Sequence, residues 1–117
     1  IACGPLVYEA LWAARILEKS GVNVMVVNVH TVKPLDEKTV IEAAKRCKRV
    51  VTLEEAQVIG GLGGAVAETL ARHYPTPVLR MGMQDTFGTS GTPEELIRHF
   101  GLDRNGIVKH VLKFIKE

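Results

Sequence analysis

Three short apolar runs, VNVMVVNV at Val22–Val29, RVVTL at Arg49–Leu53 and VLRM at Val78–Met81, are separated from one another by single stretches of helical pattern. β-Branched runs that stay apolar at successive positions belong to strands covered on both faces. A strand, a helix and another strand joined by short links force parallel pairing through right-handed crossovers. The chain therefore predicts an α/β fold, a three-layer sandwich in which a mostly parallel sheet is flanked by helices.

The punctuation between these runs supports the same reading. Ile1 to Cys3 reads as the remnant of a strand, so that the 117 residues form a single domain expected to be the tail fragment of a longer chain. Gly4-Pro5 turns into a helix from about Leu6 to Lys19, because proline has no N–H to leave unpaired in a first turn. Gly21 closes that helix where a left-handed cap is wanted. Thr31 to Asp36 is a loop, and Asp36 is the expected N-cap of a helix over Glu37–Cys47 whose Val40, Ile41, Ala44 and Cys47 share a face. A helix after the glycine stretch ends near Tyr74, where Pro75 and Pro77 stop it. After a loop from Gln84 to Thr92, Thr92-Pro93-Glu94-Glu95 reads as a capping box. It opens a short helix to Phe100; Gly101 stops it, and a last helix starts at about Asn105.

Charge and composition exclude several classes of partner. The formal charge of +2 comes from well-mixed signs with no basic run, and aromatics are 5% of residues, which argues against nucleic acid. The apolar runs are too short to cross a bilayer, so no membrane role is expected. Cys3 and Cys47 lack CxxC spacing and predict buried free thiols in a reducing cytosol, not a disulfide or a metal site. A cytoplasmic protein is the expectation, and no spacing of His, Cys, Asp or Glu resembles a metal centre.

The chemically suggestive stretch is EEAQVIGGLGGAV, from Glu54 to Val66. Gly61-x-Gly63-x-x-Val66 falls one residue short of the dinucleotide fingerprint, and five residues separate Glu55 from Gly61. The next strand ends in Met-Gly-Met without the acid that would hold a ribose, and no lysine follows Gly64 to make a Walker loop. Glycines at a helix start also allow positive φ and remove the Cβ atoms that hold two backbones apart. Close packing is thus the favoured role for Gly60, Gly61, Gly63 and Gly64. The free N–H groups of the helix start would be met by Glu54, Glu55 or a partner's carboxylate. The rim at the strand ends holds His30, Glu54, Glu55, Gln84 and Asp85, a set expected simply because buried strands emerge into water there. Ser90 lacks a nucleophile elbow. No residue is assigned to catalysis, cofactor binding or metal binding.

The order of Gly4, Glu9-Ala10-Leu11-Trp12-Ala13-Ala14, Thr31 to Asp36, Glu54-Glu55 and Gly60 to Gly64 resembles the C-terminal domain of the transketolase family. Phe87-Gly88-Thr89-Ser90-Gly91-Thr92-Pro93-Glu94-Glu95-Leu96, closed by Phe100-Gly101-Leu102, looks like that domain's last loop and helix. The resemblance covers essentially the whole chain and is nearest to transketolase, including forms split into two polypeptides. 1-Deoxyxylulose-5-phosphate synthase and the beta subunits of 2-oxo-acid dehydrogenases are related alternatives. One departure is Ala56, where relatives often carry a histidine, so no role of that histidine transfers.

The resemblance implies a thiamine-diphosphate enzyme that moves two-carbon ketol units between sugar phosphates. It implies that the cofactor and its divalent metal, magnesium or calcium, sit between other domains, leaving this segment inactive alone and without a cofactor site. It implies other domains or a second subunit of the same enzyme as partners, in a homodimer or a split-subunit heterotetramer. The competing class is a stand-alone small α/β nucleotide-binding domain.

The first helix carries the residue pattern of an interface. Val7, Ala10, Leu11, Ala14 and Leu17 cluster on one projected side, the expected core face. Tyr8, Trp12 and Ile16 form a separate stripe beside Glu9 and Arg15. Either the last helix covers this stripe with Ile107, Val108, Val111, Leu112 and Ile115, or another domain or subunit does.

Overall fold

The computed structural model describes residues 1–30, 33–57, 61–83 and 92–117. Its elements are α1 (Leu6–Lys19), α2 (Glu37–Cys47), β1 (Val50–Gln57), α3 (Leu62–His73), β2 (Val78–Met83), α4 (Pro93–His99) and α5 (Arg104–Phe114). β1 and β2 pair in parallel, with Val50 opposite Val78 and Leu53 opposite Met81. Ala2 forms parallel bridges on both sides, to Leu53 and to Asn28. Four extended segments therefore lie side by side in the order 27–29, 1–3, β1, β2.

Side-chain alternation along these segments builds the two outer layers. Leu53 and Met81, with Val51 and Leu79, point to a core shared with Leu6, Ala10, Ala13 and Leu17 of α1 and with Ile107 and Val111 of α5. Val50 and Val78 point the other way, to Val40 and Ala44 of α2 and Leu62, Val66 and Leu70 of α3. The result is an α/β fold with helices on both faces of a parallel sheet.

Local chemistry fixes most helix ends. Asp36 accepts from the Thr39 amide at 3.2 Å and the Thr39 hydroxyl at 2.7 Å, and these bonds lower its carboxyl below the usual range. Gly21, at φ 86°, donates to the Glu18 carbonyl while Val22 donates to Leu17, so α1 closes in a Schellman motif. Gly101, at φ 70°, does the same for α4 through Arg98 and Ile97. Thr92 accepts from the Glu95 amide and Asp103 from the Gly106 amide. α2 ends differently, on Lys48 in the left-handed region at φ 67°, an unusual conformation for a residue with a side chain.

Four expectations are corrected. The run Val22–Val29 does not form a regular strand: it makes one bridge at Asn28, and Val24 is exposed. A strand needs a neighbour along its length, and Ile1–Cys3 reaches only its last residues. The core face of α1 is Leu6, Ala10, Ala13 and Leu17, while Leu11 is 52% exposed. The small Ala10 and Ala13 side chains sit on the face that packs against α5. Neither cysteine is buried: Cys3 is half-buried and Cys47 is exposed at the end of α2. Finally, β1 runs on to Gln57, so Glu54 and Glu55 lie inside the strand. The Thr31–Asp36 loop is described only from Lys33, and the Gln84–Thr92 loop, with Asp85 and Ser90, lies outside the described residues except for Thr92.

Gly106 shows a close approach with no sequence signal. A Cβ there would overlap the Gly101 carbonyl and lie 2.8 Å from the Gly101 Cα. Gly→Ala inside a helix ordinarily stabilises by about 1 kcal/mol. At Gly106 the sign reverses: Gly106→Ala lowers the denaturant midpoint, because the turn between α4 and α5 must open. A midpoint equal to or above that of the parent chain would contradict the close approach.

Candidate functional site

The glycine stretch and the acids before it form one structural unit. β1 holds the Glu54 side chain on the α3 side of the sheet, because Val50, Thr52 and Glu54 alternate with Val51 and Leu53. Glu54 is 3% exposed, and both of its carboxylate oxygens are used. Oε1 accepts from the Leu62 amide at 2.9 Å and Oε2 from the Gly63 amide at 2.7 Å. These are the first two amides of α3, so a buried charge is met by charge-assisted bonds and by the positive end of the helix.

Gly63 makes this geometry possible. A Cβ there would stand 2.9 Å from the Thr52 Oγ1 and 3.0 Å from the Arg80 Cγ and Cδ. Glycine at that point lets the first turn of α3 come down onto β1 and β2. Gly64 is different: nothing lies within 4 Å of an added Cβ. Gly61, at φ −102° and ψ −150°, is the N-cap and uses no left-handed conformation, and Gly63 is ordinary helix. Positive φ is therefore not what these two glycines supply; Gly63 supplies space. Gly60 lies outside the described residues.

This arrangement opposes a phosphate cradle. A diphosphate at the start of α3 would need amides that Glu54 already occupies, and the Glu54 charge would repel it. Glu55 is half-buried in the strand, and His30 is exposed. Burial first, and then the Glu54 and Glu55 charges, push the Cys3 thiol up, so at neutral pH it is a protonated thiol and a poor nucleophile. His73 pairs with Glu37 at 3.6 Å, joining α3 to α2. Among the described residues there is no group of three metal-ligating side chains.

A second cluster lies on α1. Tyr8 is 53% and Trp12 38% exposed, in edge-to-face contact with centroids 6.4 Å apart. The Arg104 guanidinium sits 5.0 Å from the Trp12 ring and 5.6 Å from the Tyr8 ring, and Arg15 lies 5.4 Å from Trp12. Glu9 holds Arg104 in place, accepting from its Nη2 at 2.9 Å and its backbone amide at 3.0 Å. That carboxylate also raises the affinity of Arg104 for its proton. The apolar face of α5 packs on Leu6, Ala10, Ala13 and Leu17, while its first residue, Arg104, reaches over the Tyr8–Trp12 stripe and leaves both rings partly exposed. Ile16 is half-buried at the edge of the stripe. Arg104 has no sequence signal: its partner is 95 residues away.

Comparison with known proteins places these features in a family. The family profile described as "Transketolase, C-terminal domain" matches residues 1–107. The chain is 47% identical over 109 residues to the 6-deoxy-6-sulfo-D-fructose transketolase subunit SqwH of Clostridium sp. (strain MSTE9), covering 93% of this chain and 34% of that protein. It is 41% identical over 116 residues to the 1-deoxy-D-xylulose-5-phosphate synthase of Thermomicrobium roseum, covering 98% of this chain and 18% of that one. A solved structure titled "Split gene transketolase, inactive beta4 tetramer" superposes with a TM-score of 0.91 at 43% identity, over 98% of this chain and 38% of the matched chain. The chain thus spans about a third of the length of its transketolase relatives.

The capping geometry yields a graded mutational series. Glu54→Ala leaves two helix-start amides buried without acceptors and is expected to cost about 2–4 kcal/mol. Gly63→Ala destabilises through contact with Thr52 and Arg80. Gly64→Ala is neutral or stabilises by up to about 1 kcal/mol. Urea denaturation of the three variants reads the order directly, and equal effects of Gly63→Ala and Gly64→Ala would remove the close-packing explanation.

Proposed function

We propose that this chain, which belongs to the transketolase C-terminal domain family, serves as the assembly domain of a thiamine-diphosphate-dependent, transketolase-type enzyme. The enzyme would transfer two-carbon ketol units between sugar phosphates in the cytoplasm, with thiamine diphosphate and a magnesium or calcium ion held by other parts of the assembly. The observation that carries the reading is the pinned Tyr8–Trp12–Arg104 face. Trp, Tyr and Arg are the residue types that dominate interface energetics. Here Glu9 fixes the guanidinium against both rings, so little side-chain freedom is left to lose on docking. Glu54 and Gly63 belong to the packing of the domain itself and set the start of α3 on the opposite face of the sheet.

The start of α3 does not fit a diphosphate, since Glu54 already closes it. The same fact disfavours a self-sufficient nucleotide-binding domain. Names among the relatives and neighbours support a divided enzyme: one is a transketolase subunit and another a split-gene transketolase tetramer. A multi-subunit assembly, either a homodimer of the complete enzyme or a heterotetramer of split subunits, accords with those names. A synthase forming 1-deoxyxylulose 5-phosphate is the second reading, supported by 41% identity to such an enzyme. No helix among the described residues is long and apolar enough to cross a membrane.

Reconstitution tests the proposal. The chain alone is expected to give no saturable thiamine diphosphate binding in calorimetry. Combined with the thiamine-diphosphate-binding section of its enzyme, it restores ketol transfer, and Trp12 fluorescence shifts to the blue and becomes protected from quencher. Trp12→Ala weakens association by about 2 kcal/mol or more, roughly thirtyfold. Full activity of the assembled enzyme with Trp12 still open to quencher would overturn the interface assignment. Formation of 1-deoxyxylulose 5-phosphate by the assembled enzyme would select the synthase.

A further inference from the structure

The charged groups around the Tyr8–Trp12 face are of one sign. At about 100° per residue, Tyr8, Trp12, Arg15 and Lys19 fall within about 60° of one another around α1, and all four are exposed. Arg104 opens α5 beside them, 5.0 Å from the Trp12 ring, and Arg15 flanks the same ring at 5.4 Å. Three cations therefore border two aromatic rings. Their guanidinium and ammonium groups, like the indole N–H, donate hydrogen bonds and accept none.

The carboxylates of α1 leave this charge open. Glu9 is committed to Arg104, with Oε1 on its backbone amide at 3.0 Å and Oε2 on its guanidinium at 2.9 Å. Glu18 stands about 100° around the helix from Lys19. Among the described residues, neither Arg15 nor Lys19 forms an ion pair. A second copy of the chain is a poor cover for such a face. A two-fold axis through it would set Arg15, Lys19 and Arg104 against their own copies, and like charges across an interface cost affinity. Glu9 could answer them only by giving up the amide that starts α5. A cation covered without any partner is costlier still. The cover must therefore bring carboxylates to Arg15 and Lys19 and an apolar centre to the rings.

We propose that the Tyr8–Trp12 face docks on an acidic surface of a different section of the enzyme, with carboxylates opposite Arg15 and Lys19, and not on a second copy of itself. The proposal rests on the assembly reading and narrows it to one kind of partner. Trp12 is the anchor, and Arg15 and Lys19 form the rim that steers the approach. In a homodimer of the complete enzyme the cover is then another domain, and in a split enzyme it is the other subunit.

Association of the chain with the thiamine-diphosphate-binding section, followed by surface plasmon resonance, tests this. The association rate is expected to fall about tenfold or more as NaCl rises from about 50 to about 500 mM. Arg15→Glu combined with Lys19→Gln slows association about tenfold at the lower salt and flattens the salt dependence. Both side chains are exposed, so the melting point of the double variant stays near that of the parent chain. Trp12→Ala, measured alongside, separates this proposal from the assembly reading. If Trp12→Ala weakens binding while association ignores both salt and the double variant, the face is an interface and its partner is not acidic. If association is absent, or Trp12→Ala leaves it unchanged, both are overturned. The concentrated chain alone keeps Trp12 open to quencher; protection that grows with its own concentration would show that a second copy does cover the face.

Discussion

One buried carboxylate fixes the junction between β1 and the start of α3. A charge as deeply placed as Glu54 is costly unless it is fully hydrogen-bonded. Its two oxygens meet the first two amides of α3 at 2.9 and 2.7 Å. The bonds satisfy the carboxylate and close a helix end that would otherwise keep free donors. They also fix how α3 enters the fold, because the helix can approach only where Gly63 lacks a side chain over Thr52 and Arg80. A place that often receives a ligand's phosphate in α/β proteins is here filled by the protein's own chain.

The same device recurs on the opposite layer. Glu9 of α1 accepts from the first backbone amide of α5 and from the guanidinium of the same residue, Arg104. The carboxylate thus caps a helix 95 residues away and ties α1 to α5 by an interaction independent of the apolar contact between them. Its by-product is the surface geometry of Tyr8 and Trp12, whose rings are held by a cation that cannot swing away. The exposed aromatic surface and the internal cap of α5 therefore share one residue pair.

The punctuation of the fold was legible because caps and stops depend on neighbouring residues alone. Asp36, Gly21, Gly101 and Thr92 each act within a few positions of where they stand. The layers were legible from the alternation of apolar runs and helices. What could not be read depends on distant partners. Val7, Leu11 and Leu17 are equally apolar, and only the approach of α5 along Ala10 and Ala13 decides which face is inside. The left-handed Lys48 and the tight Gly106–Gly101 approach carry no local sign. The sequence offers Glu54 and Glu55 equally to the free amides, and strand alternation selects Glu54, because β1 extends past both acids.

The proposed assembly role draws on the same contact. The Tyr8–Trp12 face is made of amphipathic side chains, and its central cation, Arg104, is held by Glu9, so the face can stand in water. A surface whose cation is already fixed loses little side-chain freedom when a folded partner covers it.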